Sequence, residues 1–253
     1  MSRKLKFILP VPISPGASER FAAQIPESIR RAGTAIDFVG CRAGSGLMDS
    51  EYDATIADAL VLAVGARAEA EGYAAVCSFS MSDSGLAALR SRLTIPVIGT
   101  AQASFALALQ LGRTVSVVTM WAPWARRLKE NAARYGFAPR VASIRHIDVA
   151  PDTQYLLAGK EEMVFERLRQ EALRAIEQDG AEAIILGSTT MYQAHAFLAQ
   201  CLPCPVINPG LAAYQACETV LDLKLTHSKL THPSPANVAD HLFDPIPPAF
   251  DAA

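Results

Sequence analysis

The chain has 253 residues, room for one large α/β domain or two lobes of roughly 110 residues each. Its net charge is -2, with Lys/Arg and Asp/Glu spread along the sequence rather than blocked, which argues against a nucleic-acid or anionic-membrane partner. Five irregularly spaced cysteines do not form a secreted disulfide framework, and no apolar run reaches membrane-spanning length, so we expect reduced thiols, a cytoplasmic location and a small-molecule partner.

The amino-terminal stretch starts basic, but Pro10 and Pro12 break its apolar run before it reaches the length of a signal segment. From there, short β-branched runs alternate with longer Ala/Leu/Arg/Glu stretches, the pattern of a mainly parallel sheet flanked by helices. Strands are predicted at Lys6–Leu9, Ala35–Val39, Ala74–Phe79, Pro96–Gly99, Val115–Thr119, Val141–Ile147, Ala183–Leu186 and Pro205–Asn208. Helices are predicted at Asp53–Glu71, Ala101–Leu111, Trp124–Tyr135, Lys160–Asp179, Gln193–Gln200 and Leu211–Leu223.

Eight βα units are compatible with a closed barrel, and an internal repeat argues against one. Glu69-Ala-Glu-Gly72-Tyr-Ala-Ala-Val-Cys-Ser-Phe-Ser80 is matched by Glu177-Gln-Asp-Gly180-Ala-Glu-Ala-Ile-Ile-Leu-Gly-Ser188, and each is followed by a Pro-Val-Ile strand. The predicted fold is therefore α/β with two pseudo-symmetric Rossmann-like lobes, each a four-stranded mainly parallel sheet. The first lobe is expected over residues 1–112, completed by the segment 209–253, and the second over 113–208.

In open α/β sheets ligands bind beyond the carboxyl ends of the strands. Ser80 and Ser188 lie there in both copies, in small-polar turns expected to open a helix, so we expect them to face each other across an interlobe cleft. Met81, Ser82, Thr189 and Thr190 crowd the same turns, and Thr119 ends a strand at the same sheet edge. These are the candidate substrate contacts, together with Ser14 in the first βα loop. His195, seven residues after Ser188, is a possible auxiliary group. The pair Cys201-Leu-Pro-Cys204 has metal-knuckle spacing but no second Cys/His pair to complete a zinc site, so no metal is expected. A Gly-rich phosphate loop and a Gly-x-Ser-x-Gly elbow are both missing.

Several short motifs, in order and spacing, resemble the aspartate/glutamate/hydantoin racemase superfamily, and most closely its hydantoin racemase branch. They are Ser50-Glu-Tyr-Asp53, Asp83-Ser-Gly-Leu86, Pro96-Val-Ile-Gly99, Gly112-Arg-Thr-Val-Ser-Val-Val-Thr119, Asp179-Gly-Ala-Glu-Ala-Ile-Ile-Leu-Gly187 and Thr226-His-Ser-Lys229. The resemblance implies a cofactor-independent homo-oligomeric enzyme acting on a small carboxylate, amino acid or cyclic amide. In such racemases one cysteine from each lobe flanks the acidic carbon, and those positions fall on Ser80 and Ser188 here. A thiol titrates near 8.5 whereas an aliphatic hydroxyl does not titrate in water's working range, so a simple two-thiol mechanism does not transfer. The branch's polar amino-terminal loop is also reduced to Ser14 in Pro10-Val-Pro-Ile-Ser14. Three functions stay open at this point: a racemase-like isomerase, a serine-dependent hydrolase or decarboxylase-like lyase, and a non-catalytic carboxylate-binding protein.

Overall fold

The computed structural model describes residues 3–44, 47–150 and 164–246. The chain forms two compact units, Met1–Gly99 with Tyr214–Ala253, and Thr100–Ala213. Each is a four-stranded parallel sheet flanked by helices.

The first unit contains β1 (Arg3–Leu9), α1 (Pro15–Ala23), β2 (Thr34–Gly40), α2 (Glu51–Gly65), β3 (Ala75–Ser78), α3 (Leu86–Arg92) and β4 (Val97–Gly99). Its strands lie in the order β2-β1-β3-β4, all parallel. The second contains α4 (Thr100–Leu111), β5 (Val115–Thr119), α5 (Ala122–Arg134), β6 (Val141–His146), α6 (Phe165–Glu177), β7 (Ala183–Leu186), α7 (Tyr192–Cys201) and β8 (Val206–Ile207). Its order is β6-β5-β7-β8, the same topology. Helix α8 (Pro209–Asp222) starts in the second unit and carries the chain back into the first.

All eight predicted strands are present, because each is a β-branched or apolar run in a helix-covered sheet. One helix is clearly shorter than predicted. Helix α2 stops at Gly65 rather than Glu71, although Ala66–Ala70 has good intrinsic helix propensity. A Cβ on Gly65 would lie 2.4 Å from Leu89 Cδ2, so the chain is pressed against α3 there. The buried Lys6 ammonium then closes the helix end by donating to Val64 O at 2.8 Å and pairing with Glu71 at 2.5 Å. Helix α6 is described from Phe165, and the predicted start at Lys160 lies outside the described residues.

The repeat seen in the sequence is a repeat of register. Gly72 and Gly180 both adopt the left-handed conformation, at φ +80° and +76°, and turn the chain into β3 and β7. Leu5 then pairs with Ala75, and Val115 with Ala183. Ser80 comes after Ala75, and Ser188 after Ala183, by the same five residues, so both serines stand at one register beyond equivalent strands.

Each unit holds its strand end by a different packing device. In the first, Phe79 packs into a cluster with Phe7 at 5.0 Å, Phe38 at 5.2 Å and Phe21 at 6.0 Å between ring centroids. In the second, Gly187 replaces that ring and lets Thr119 come close, since a Cβ on Gly187 would lie 2.5 Å from Thr119 Cβ. Core residues Val118, Leu168, Ile184, Leu186 and Leu198 fill the space beneath.

The returning segment is tied down by polar contacts. Fully buried Glu218 on α8 accepts from Arg3 Nη1 and Thr34 Oγ1, both at 2.8 Å, and Tyr214 Oη accepts from Arg31 N at 2.8 Å. Toward the carboxyl terminus, Lys229 donates to the carbonyls of Arg90, Ser91 and Leu93 at 2.8, 2.9 and 2.7 Å, capping the end of α3. Thr226 Oγ1 donates to Thr94 O at 2.8 Å beside it. Thus Thr226-His-Ser-Lys229 clamps the connection between α3 and β4.

Two substitutions test this packing. Glu218→Ala removes the buried acceptor shared by Arg3 and Thr34, leaving Arg3 its rim contact with Asp222, and is expected to lower stability by about 2–3 kcal/mol, whereas Asp222→Ala, at the solvated rim, should change it by less than about 1 kcal/mol. Equal denaturant midpoints for the two variants would contradict the anchoring role. Gly187→Ala forces a methyl onto Thr119 and should cost about 1–3 kcal/mol by the same urea titration, with no loss counting against the close approach.

Candidate active site

The carboxyl ends of β3 and β7 carry the same local structure. In the first unit Ser80 Oγ lies 2.9 Å from Ser82 Oγ and accepts from Ser82 N at 3.3 Å. In the second, Ser188 Oγ lies 2.9 Å from Thr190 Oγ1 and accepts from Thr190 N at 3.2 Å. Each turn therefore presents a half-buried serine braced by the amide and the hydroxyl two residues on.

Beyond the turns, only the second unit continues into a helix in the way the sequence leads one to expect. Ser188, with extended backbone, caps a short 3-10 turn, Thr189–Met191, that runs into α7. Ser80 does not open a helix. Its carbonyl accepts from Asp83 N at 3.0 Å, Asp83 and Gly85 take φ of +50° and +66°, and α3 begins only at Leu86. Two left-handed residues within a span of three cannot belong to a right-handed helix.

The first turn is also held from behind. Asp58 on α2 accepts from Gly85 N at 2.8 Å, and a Cβ on Gly85 would lie 2.9 Å from Asp58 O. Ser78 Oγ donates to Ser84 O at 2.7 Å, and Ser84 Oγ meets Ser82 Oγ at 2.8 Å. The sequence alone does not mark Asp58 or Ser84. Asp58 lies 27 residues from its partner, so no local signal points to it. Ser84 stands in the Asp83-Ser-Gly-Leu86 motif, where alternation with Ser80 and Ser82 is the one available clue.

The remaining candidates separate by burial. Ser14 is exposed on the β1–α1 connection, capping α1 by accepting from Ala17 N at 3.3 Å. Met81 and Thr189, each next to a serine, are buried, while Ser82 and Thr190 are half-buried. Thr119 is fully buried at the end of β5, and its hydroxyl has no hydrogen-bond partner among the described residues. His195 Nε2 lies 3.1 Å from Val206 O. That ring nitrogen is engaged by the main chain of β8, and the hydroxyl beside Ser188 is Thr190.

Two of the buried thiols are held away from the thiolate form. Burial pushes the Cys41 thiol, just past β2, up to about 12. A hydrogen bond with Cys77, then burial, raises Cys217 well above the ordinary thiol range. Among the described residues no group of three or more His, Cys, Asp or Glu side chains is placed to hold a metal ion. No described helix is long and apolar enough to cross a membrane.

Known proteins share this fold. A family model for Asp/Glu/Hydantoin racemase matches residues 12–217. A hydantoin racemase of Pseudomonas sp. (strain NS671) is 34% identical over 204 residues, covering 81% of each chain. One from Paenarthrobacter aurescens is 28% identical, covering 86% of this chain and 92% of its own. The solved allantoin racemase from Klebsiella pneumoniae superposes with a TM-score of 0.84 at 29% identity, over 94% of this chain and 96% of that one. Because the family match runs through both units and includes both serine turns, the chain belongs to the Asp/Glu/hydantoin racemase family.

Proposed function

We propose that the chain is a racemase-type isomerase acting on the acidic carbon of a small cyclic amide, with carboxylates as the alternative substrate class, and that Ser80 and Ser188 are its paired reacting-centre groups. The observation that carries this reading is the duplicated hydroxyl turn, 2.9 Å between its two oxygens in each unit and at one register beyond equivalent strands. The names of the relatives, hydantoin and allantoin racemases, support the cyclic-amide class.

The chemistry rests on what a hydroxyl can do. Serine is too weak an acid to serve as the stored base that a thiolate provides. It is a good donor to a carbonyl oxygen that gains negative charge as the neighbouring carbon loses its proton. A ring with two carbonyls already has an acidic carbon, so polarising an oxygen substitutes in part for a strong base. Ser14, Ser82, Thr119, Thr189 and Thr190, with the Met81 side chain, are assigned to substrate contact. A hydrolytic serine would need a base in reach, and the Nε2 of His195 is engaged with Val206 O instead.

Exchange with solvent tests the reading. Allantoin and 5-benzylhydantoin are incubated with the protein in deuterated buffer, and loss of the ring C–H signal is monitored by proton NMR. The expected outcome is exchange faster than the protein-free blank, with a further gain of about 100-fold in the double variant Ser80→Cys/Ser188→Cys, where thiols supply general base catalysis. Exchange at the blank rate in both proteins, across hydantoins, amino acids and hydroxy acids, would overturn it.

A further inference from the structure

The two serine turns match in geometry but differ in what lies behind them. In the first, a third hydroxyl continues the chain. Ser84 is fully buried, and the hydrogen-bond partner of its Oγ is Ser82 Oγ at 2.8 Å. A buried hydroxyl proton without an acceptor costs about 1–3 kcal/mol, so Ser84 donates and Ser82 accepts. Ser82 Oγ next meets Ser80 Oγ at 2.9 Å. If Ser82 accepted from both sides it would gain no mutual polarisation, whereas a chain in which each hydroxyl accepts one proton and passes on its own is cooperatively strengthened.

We propose that the chain runs in one direction, Ser84 to Ser82 to Ser80, and that Ser84 thereby makes Ser80 a committed donor to the ligand. Ser80 Oγ already accepts from Ser82 N at 3.3 Å, so with the Ser82 hydroxyl both its lone pairs are filled. Its proton is the group left to offer. Ser80 thus recognises an acceptor, a carbonyl or carboxylate oxygen, and has no lone pair left to accept a hydrogen bond from the ligand.

Among the described residues the second turn has no such terminal donor. The position equivalent to Ser84 is Tyr192, whose hydroxyl accepts from Gln193 Nε2 at 3.4 Å rather than joining the chain. Ser188 and Thr190 are both half-buried, and either hydroxyl can be the donor. Ser188 keeps the freedom to accept. Hydrogen-bond acceptance, from a ligand N–H or from a water, therefore belongs to the second turn, and oxygen recognition to the first. Ser84 is a positioning residue in this scheme, acting through Ser82.

The direction is measurable without any ligand, whereas its effect on affinity rests on the function proposed above. Neutron diffraction from a perdeuterated crystal of the unmodified protein should show the Ser84 deuteron on the line to Ser82, the Ser82 deuteron on the line to Ser80, and the Ser80 deuteron turned away from both. A Ser80 deuteron pointing at Ser82 overturns the proposal. Calorimetric titration with hydantoin adds the functional arm. Ser84→Ala frees Ser82 to accept from Ser80 and should weaken binding about 5- to 10-fold, the equivalent of one hydrogen bond, while Thr55→Ala, which removes an exposed hydroxyl on α2 bonded to Glu51 O, should leave hydantoin affinity within about 2-fold. Tight binding retained in Ser84→Ala also overturns the proposal. Should the unmodified protein bind no hydantoin, the substrate reading fails and the neutron map still decides the direction.

Discussion

Parallel pairing between the first and third strand of each unit is the constraint on which the rest depends. It fixes Leu5 opposite Ala75 and Val115 opposite Ala183, and because a parallel sheet sends every strand's carboxyl end to one edge, it fixes where the next turns emerge. A slip of one residue would turn Ser80 or Ser188 toward the opposite face of the pleat. The left-handed glycines at 72 and 180 set the start of each strand, and the packing at its far end sets the stop. Between those two points the register has no freedom.

The stop is made in two ways, and this shows what the repeat preserves. An aromatic cluster holds Phe79 in the first unit, while a glycine allows Thr119 against the chain in the second. The side chains do not correspond in size or chemistry. The hydroxyl turns beyond them nevertheless agree to within 0.1 Å in both the oxygen–oxygen and the amide–oxygen contacts, at 2.9 and 2.9 Å and at 3.3 and 3.2 Å. Core packing differs between the units under a shared strand-to-turn geometry, as expected where filling space can be met by many side-chain combinations but a short hydrogen-bonded turn cannot.

Strand positions are legible in the sequence because burial in a helix-covered sheet leaves a continuous apolar run that few other structures produce. Helix ends are less so. The end of α2 is decided by Leu89 and by Lys6, neither of which is near Gly65 in the chain. The late start of α3 is decided by two positive φ values, one of them at an aspartate that any local reading would allow in a helix's first turn. The serines can be placed at strand ends from their spacing to Gly72 and Gly180. Their partners cannot all be placed, since Asp58 reaches Gly85 across a packed helix and Ser84 declares its role only through complete burial.

The inventory of acidic groups around the turns bears on how a hydroxyl pair would serve a racemase. Cys41, Cys77 and Cys217 are buried, and the shifts at Cys41 and Cys217 run upward, away from the thiolate. The Nε2 of His195 is occupied by the main chain of β8. A hydroxyl pair would contribute by holding an oxygen rather than by storing a strong base, which favours a substrate whose carbon is already acidic. A fixed donor serves that end better than a hydroxyl free to rotate, because a dipole oriented in advance needs no reorganisation as charge develops. The buried hydroxyl of Ser84 behind the first turn supplies that fixity; the second turn, where either Ser188 or Thr190 can donate, retains the capacity to accept. Two turns of one geometry are in this way given unlike tasks by a single residue that touches neither the ligand nor the serine it orients.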